Sequence, residues 1–194
     1  MSKPYEKLDR LFVAGEWRTG EGDTLKNISP WDESEIFSMK TAQPSDVDEA
    51  CHAAAAAQRE WAALPPSARA AKMLAIGDIL KARKEEIADW IVREVGGTQV
   101  KAALELMLVT QVARQEAAAL PFMVEGAILP EEIPGKESRA YRQPAGVIAL
   151  ISPWNFPLQL TARTLFPALA LGNAVVLKPA SDTPVTGGTI FAAI

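Results

Sequence analysis

Two short apolar runs flank a helical stretch in the last third of the chain. Val147–Ile151 is an unbroken apolar run of strand length between Gly146 and Pro153, which predicts a strand buried on both faces. Residues 174–177 predict a second strand of the same kind, and residues 158–171 between them are rich in helix formers. This order predicts a βαβ unit, in which a right-handed crossover joins two parallel strands.

Helix breakers mark the limits of that crossover. Pro167 predicts either a kink or a restart as a second short helix, and Gly172-Asn173 predicts a left-handed end. The residues after Pro184 predict the start of a further helix.

Three helical segments are predicted earlier in the chain. The first covers 46–64, with Ser45 as its cap and Asp48 in position to accept a hydrogen bond from the Ser45 backbone. The second covers 67–95 and is broken near Lys84. Gly96-Gly97 ends the second, and Thr98 caps a third that runs to Leu120. Apolar side chains recur at helical spacing in the last two segments, which favours a core over a groove for a partner. These are Met73, Ile76, Ile79, Leu80, Leu104, Met107 and Leu108.

Segments with β propensity lie on either side of these helices. Residues 11–41 contain β-prone pieces separated by Ala14-Gly15 and Ser29-Pro30, which predict a hairpin and an edge strand. Residues 126–143 have β-prone ends around a polar turn and predict a two-stranded ribbon. An isolated ribbon is only marginally stable, so it needs a partner surface or must pack on its own chain.

Composition excludes several function classes. The net charge of -4 and a pI near 5.2 give no basic surface for nucleic acid. No uncharged apolar stretch is long enough to cross a membrane, and residues 1–10 lack the apolar core of an export signal. We therefore expect a cytoplasmic protein with neither a nucleic-acid nor a membrane partner.

The single cysteine stands beside the single histidine, on the first predicted helix. Adjacent helical residues do not face each other, so Cys51 and His52 do not predict a catalytic pair. Cys51 is expected to be a buried, inert residue among alanines. One thiol and one imidazole also predict no metal site.

Two polar side chains follow the strands of the predicted βαβ unit, where open α/β sheets bind their ligands. Asn155 lies in a proline-rich turn before a helix, and Lys178 ends the second strand. Taken singly, the first is typical of a helix cap and the second of a solvated charge.

The joint pattern carries more information. Pro-Trp-Asn-Phe-Pro at 153–157, followed by Leu-Lys-Pro-Ala-Ser at 177–181, resembles the aldehyde dehydrogenase superfamily. Phe-Val-Ala-Gly-Glu-Trp at 12–17 and Glu-Val-Gly-Gly at 94–97 extend the resemblance over essentially the whole chain. It implies an α/β fold, namely the amino-terminal part of an aldehyde dehydrogenase-like fold with an incomplete Rossmann-type cofactor domain and a protruding β-ribbon. The implied parts are a hairpin and helical part (1–125), an oligomerisation ribbon (126–143) and the first βαβ unit (144–194).

The resemblance also implies a reaction, in which an aldehyde is oxidised to an acid with NAD or NADP through a cysteine thiohemiacetal. The resemblance implies that the Asn155 amide stabilises the oxyanion of this thiohemiacetal. The implied cofactor-binding residues are Ile151, Ser152, Pro153, Trp154, Lys178 and Ser181. Family members are longer, and their nucleophilic Cys, general-base Glu and Gly-rich turn lie in sequence that this chain does not contain. We therefore expect the chain alone to be inactive.

Ser181 stands where members that prefer NAD often carry Glu. A carboxylate would repel a 2′-phosphate, whereas Ser does not, so both cofactors remain open. Residues 178–188 look most like members acting on aromatic aldehydes such as benzaldehyde or vanillin, and the ribbon implies a homo-oligomer. The alternative is a non-enzymatic module that retains oligomerisation and weak nucleotide binding.

Overall fold

The computed structural model describes residues 7–124 and 126–194. The polar amino terminus is thus described only from residue 7, and the predicted domain boundary at 125 lies outside the described residues. β1 (Leu11–Val13) and β2 (Glu16–Arg18) form an antiparallel hairpin around Ala14-Gly15, both with positive φ. β3 (Thr24–Ile28) and β4 (Glu35–Lys40) form a second hairpin, where the sequence predicted only an edge strand. The polar residues between them close a loop, because Ser29 N donates to Ser34 O at 2.8 Å.

Four helices follow: α1 (Pro44–Ala63), α2 (Pro66–Ala82), α3 (Lys84–Val95) and α4 (Gln99–Gln111). The predicted break near Lys84 is confirmed, and Gly96 ends α3 with φ +68°. Thr98 caps α4, since its Oγ1 accepts from Lys101 N at 3.2 Å. The predicted cap of α1 is wrong by two residues: Gln43 is the cap, and its N–H donates to Asp46 Oδ2 at 2.8 Å.

The helical region ends differently from the prediction of one helix reaching Leu120. After α4 the chain widens into a π-helical segment (Val112–Ala117) and then forms a short α5 (Leu120–Met123). Pro121 lies in the first turn of α5, a position that tolerates proline because the missing N–H has no helical partner.

The predicted ribbon and βαβ unit are confirmed. β5 (Ala127–Leu129) and β6 (Ser138–Ala140) pair antiparallel. β7 (Val147–Ile151) and β8 (Ala174–Lys178) pair in parallel, and α6 (Pro157–Ala170) connects them. α6 continues through Pro167 without a restart, and Gly172 ends it with φ +89°. A π-helical segment (Val185–Thr189) and α7 (Ile190–Ala193) form the helix predicted after Pro184.

The burial predicted for β7 and β8 is wrong. In β7 only Leu150 is buried and Ile151 is 76% exposed, and no residue of β8 is fully buried. Within the described residues the β7–β8 sheet has two strands, so neither strand is enclosed by neighbours as a central strand would be.

The core is formed by α2, α3, α4, α6, α7 and the segments between them. Its fully buried apolar side chains include Met73, Leu80, Ile87, Ile91, Val109, Leu158, Phe166 and Ile190. The core interpretation holds for Met73 and Leu80, but it is wrong for Leu104 and Met107, which are 42% and 58% exposed. The buried face of α4 instead carries Ala102, Glu105, Leu106 and Val109. Among the described residues, no helix is long and apolar enough to cross a membrane.

Candidate cofactor and oxyanion site

The carboxyl ends of β7 and β8 lie side by side and define the candidate site. Ile151 is in register with Lys178, and Ser152 N donates to Lys178 O at 3.0 Å, which extends the pairing one residue beyond β7. The loop 152–156 and the loop 179–184 therefore leave the sheet from the same edge. This is the edge at which open α/β sheets bind ligands.

Asn155 lies exposed in the first of these loops. The cap of α6 is Phe156, and α6 has no side-chain cap hydrogen bond, so Asn155 does not cap this helix. In residues 7–124 and 126–194, the Asn155 side chain has no hydrogen-bond partner. Its amide is free to donate to a ligand at the edge.

The residues after Asn155 are held by a partly buried ion pair on α4. Glu105 is fully buried, and its Oε2 accepts from Gln159 N, in the first turn of α6, at 3.2 Å. Lys101 pairs with Glu105, and its Nζ lies 4.3 Å from the centroid of the Phe156 ring. Neither residue was predicted from the sequence to belong to the site. Their spacing of four on a largely apolar helix is the signal that could have identified the pair.

Ser152 differs from the other predicted cofactor residues because its side chain points inward. It is 4% exposed, and its hydroxyl shares a hydrogen bond with Thr161 Oγ1 on α6. Thr161 Oγ1 in turn donates to Gly187 O at 3.3 Å. The Ser152 side chain thus anchors the loop, and a ligand at the edge could meet only its backbone.

The other predicted cofactor residues are exposed at the edge: Ile151, Pro153, Trp154, Lys178 and Ser181. Lys178 Nζ donates to Pro179 O at 3.1 Å, and no acidic side chain of the described residues forms an ion pair with it. An uncompensated ammonium, a hydroxyl and an exposed indole suit the phosphate, ribose and ring surfaces of a dinucleotide. The residues present therefore fit the cofactor that the sequence implied.

A second buried carboxylate lies beneath the loop 179–184. Glu94, at the end of α3, is 3% exposed; its Oε1 accepts from Val185 N at 2.9 Å. Its Oε2 accepts from Thr186 N and from Thr186 Oγ1, both at 2.7 Å. Burial raises the pKa of Glu94 to about 7, although the hydrogen bonds from Thr186 and Val185 act in the opposite direction. On the other side of this loop, Asn27 Nδ2 donates to Asp182 O at 3.1 Å.

Cys51 is exposed on α1, so the prediction of a buried thiol is wrong. No residue of α1 is fully buried, because this alanine-rich helix packs only partly against the rest of the chain. His52 Nδ1 lies 2.7 Å from Asp48 O on the same helix. Among the described residues, no cluster of three or more His, Cys, Asp or Glu could hold a metal ion.

Two cavities lie away from this edge. One of about 300 Å³ is lined by residues of 29–36 and by Val92 and Arg93. The other, of about 650 Å³, lies between α2, α3 and α4. Neither is lined by any of the seven predicted site residues. Most of the predicted site residues are instead exposed at the strand edge.

Comparison with known proteins now defines the class. Residues 17–194 match the aldehyde dehydrogenase family, and the chain belongs to that family. It is 49% identical over 184 residues to a vanillin dehydrogenase of Corynebacterium glutamicum, covering 94% of this chain and 38% of that protein. It is 42% identical over 191 residues to the benzaldehyde dehydrogenase YfmT of Bacillus subtilis, covering 98% and 39%.

A solved structure gives the same result for the fold. The crystal structure of a NAD-dependent benzaldehyde dehydrogenase from Corynebacterium glutamicum superimposes with a TM-score of 0.91 at 45% identity. The match covers 96% of this chain and 42% of the other. The predicted α/β fold is thus confirmed, and the chain spans about two-fifths of the length of the relatives it matches.

Proposed function

We propose that this chain supplies the oxyanion donor and part of the cofactor edge of an enzyme that oxidises an aromatic aldehyde to its acid with NAD. The observation that carries the proposal is the Asn155 amide, which is exposed without a protein partner beside the paired ends of β7 and β8. The names of the vanillin and benzaldehyde dehydrogenases that it resembles support the aldehyde class.

Asn155 acts on charge that develops during the reaction. When a thiolate attacks the carbonyl carbon, the carbonyl oxygen becomes an oxyanion, and the Asn155 Nδ2–H donates to it. A neutral amide keeps its donor at every physiological pH and costs no reorganisation as the charge appears. One such donor lowers the barrier by about 3–4 kcal/mol.

The cofactor would lie along the exposed residues of the same edge. When bound there, NAD would supply the hydride acceptor for this oxidation. Lys178 would contact the adenosine ribose, Ser181 would face its 2′ position, and Ile151, Pro153 and Trp154 would line the approach to Asn155. Since Ser181 carries no charge, NADP is also accommodated, and the name of the NAD-dependent structural relative favours NAD.

The nucleophile and the general base belong to sequence outside this chain. Cys51 is an exposed helical residue, and its neighbour His52 bonds only within its own helix turn. We therefore expect no aldehyde turnover by the 194 residues alone.

Assembly and organisation follow the same proposal. The ribbon 126–143 exposes Ile128, Ile133 and Tyr141, which suits addition to the sheet of another subunit in a homo-oligomer. The described residues on either side of the ribbon share one core cluster, which supports a single discontinuous cofactor domain interrupted by the ribbon. A cytoplasmic location stays a prediction.

The decisive experiment uses an enzyme that carries this chain together with the rest of the family fold. Asn155→Ala should lower the single-turnover rate of benzaldehyde oxidation by about 10²–10³, with cofactor affinity nearly unchanged. Gln111→Ala, which removes an exposed amide at the end of α4, is the matched control and should leave the rate unchanged. An unchanged rate in Asn155→Ala would exclude the oxyanion role. Nucleotide binding without turnover in the wild type would favour a non-enzymatic module.

A further inference from the structure

A continuous buried polar network lies beneath the candidate site. It begins at Glu94, whose carboxylate receives three hydrogen bonds from Val185 and Thr186. The next residue, Gly187, accepts from Thr161 Oγ1 through its carbonyl oxygen, and Thr161 bonds the Ser152 hydroxyl. Every side chain in this chain of contacts is less than 5% exposed.

This network joins the two loops of the edge from below. Val185 directly follows the loop 179–184, which carries Ser181, and Ser152 begins the loop that carries Asn155. The two loops are also joined from the side by the hydrogen bond from Ser152 N to Lys178 O. Any displacement of the helix that starts at Val185 therefore shifts both loops.

Glu94 is the member that comes from outside the βαβ unit. It lies 91 residues before Val185 in sequence, on a helix of the core. The first turn of a helix presents N–H groups that have no helical partner and carries the positive end of the helix dipole. A carboxylate accepts hydrogen bonds from these N–H groups and is attracted to the positive end of the dipole. Glu94 therefore fixes the start of this helix with respect to α3.

The geometry points to Glu94 as a positioning residue that sets the distance between the loop 179–184 and the loop 152–156, and hence the affinity for the dinucleotide. The part concerning the dinucleotide rests on the proposed function. The positioning itself rests only on the hydrogen bonds described.

A carboxylate is better suited to this role than the alternatives. Gln in its place could accept with one oxygen only and would turn an N–H₂ group towards the Val185 or Thr186 amide. Ala would leave both amides and the Thr186 hydroxyl without acceptors in a buried site. The loss of charge-assisted hydrogen bonds is among the largest of single hydrogen-bond effects.

The test compares Glu94→Ala, Glu94→Gln and Thr186→Val in the complete enzyme. Amide hydrogen exchange at Val185, Thr186 and Ser152 reports the position of both loops. In Glu94→Ala we expect exchange at least about tenfold faster at all three amides, with partial recovery in Glu94→Gln. Thr186→Val keeps the carboxylate and the two hydrogen bonds from backbone amides, so it should give a smaller effect at the same amides. This variant keeps the inference testable if the Glu94 variants do not fold.

Kinetics then separate positioning from simple stabilisation. In Glu94→Ala the KM for NAD should rise by about fivefold or more, whereas the KM for benzaldehyde should stay within about twofold of wild type. Glu86→Gln is the matched control, because it removes a carboxylate from the other end of α3, where Glu86 pairs with Arg83. This control should alter neither KM.

Two results would overturn the inference. Faster exchange at Val185 and Thr186 with an unchanged KM for NAD would mean that Glu94 only stabilises a helix. Unchanged exchange at Ser152 in Glu94→Ala would mean that the two loops are not coupled. The second result applies even if the wild type binds no nucleotide, so it is separate from a failure of the proposed function.

Discussion

The two ends of the β7–α6–β8 unit differ in how their polar groups are satisfied. At the end where β8 begins, three carbonyl oxygens in or just after the last turn of α6 accept hydrogen bonds from side chains of α1 and α2. Trp61 Nε1 donates to Leu169 O at 2.7 Å, Arg69 Nε to Ala170 O at 3.0 Å, and Gln58 Nε2 to Gly172 O at 2.9 Å. At the opposite end, where the strands β7 and β8 finish, the polar residues Asn155 and Ser181 are exposed to solvent.

This difference separates residues that hold the fold from residues that are available to a ligand. We call the end where β8 begins the closed end. Each of the three donors named there comes from α1 or α2 and binds the backbone of the unit, so a change at the closed end affects stability. The end that carries Asn155 and Ser181 is the open end. Its backbone is held by hydrogen bonds to Glu94, Glu105 and Thr161, whereas the side chains of Asn155 and Ser181 do not hold the fold together. A change there should affect function with little effect on stability.

The largest expected effect concerns the carboxylate buried beneath the open end. Because the pKa of Glu94 is raised from 4.5 to about 7, the folded state holds its proton more tightly than the unfolded chain. The contribution of Glu94 to stability is therefore greatest below about pH 4.5, falls as the pH rises towards 7, and is constant above it. The change is about 3 kcal/mol.

Urea unfolding of the wild type and of Glu94→Gln between pH 4.5 and 8 measures this effect. The wild type should lose stability relative to the variant as the pH rises across that interval, since other carboxylates titrate equally in both. A constant difference between the two proteins would show that Glu94 keeps an ordinary pKa, because the hydrogen bonds from Val185 and Thr186 would then offset the effect of burial.

The closed end predicts a loss of stability without a change in mechanism. Gly172 has φ +89°, and a Cβ there would lie 2.9 Å from Pro144 Cγ. Gly172→Ala should lower the free energy of unfolding by about 2 kcal/mol, through backbone strain and this contact. Gly135→Ala is the control: its φ is +81°, but a Cβ would meet nothing within 4 Å. Equal losses in both variants, measured by urea unfolding, would assign the whole effect to the backbone.

The open end predicts a change in cofactor choice. In the complete enzyme, Ser181→Glu should lower kcat/KM for NADP by several-fold, about 1 kcal/mol, because the new carboxylate repels a 2′-phosphate. NAD should be spared, since the carboxylate can accept from the free ribose hydroxyl. Lys178→Ala should weaken both cofactors, and NADP more. If Ser181→Glu penalises NAD and NADP equally, the side chain does not face the ribose.

The smallest expected effect is at Cys51, which belongs to neither end. Because Cys51 is exposed on α1, Cys51→Ala should change the free energy of unfolding by less than about 0.5 kcal/mol. The rate of aldehyde oxidation in the complete enzyme should not change. A large loss of activity in this variant would make Cys51 the nucleophile and would contradict the role proposed for sequence outside this chain.

Local signals in the sequence were sufficient for much of the fold. Gly96, Thr98 and Gly172 mark helix ends through residue types whose preference is physical and local, and the structure confirms all three. The parallel pairing of β7 with β8 followed from a strand–helix–strand order, which permits few other arrangements.

Burial was harder to predict where partners lie far apart in the chain. The burial of Glu94 and Glu105 was not predicted, because charged residues are usually exposed and the backbone donors of these carboxylates lie 91 and 54 residues further along the chain. Burial of Glu105 also turns Leu104 and Met107 outward, against the helical pattern of apolar residues. Cys51 was misjudged because a run of alanines has no strong apolar face, so the sequence does not indicate which side of α1 packs.

The ribbon exposes an apolar strand edge. Within the described residues, β5 and β6 pair only with each other, so the outer edge of each strand carries backbone N–H and C=O groups without sheet partners. Ile128 is 69% exposed and Leu129 46% exposed on the same ribbon. An apolar strand edge of this kind can add any extended segment, including one from a misfolded copy, and so nucleate aggregation. Storage of this chain at high concentration therefore depends on whether that edge is covered.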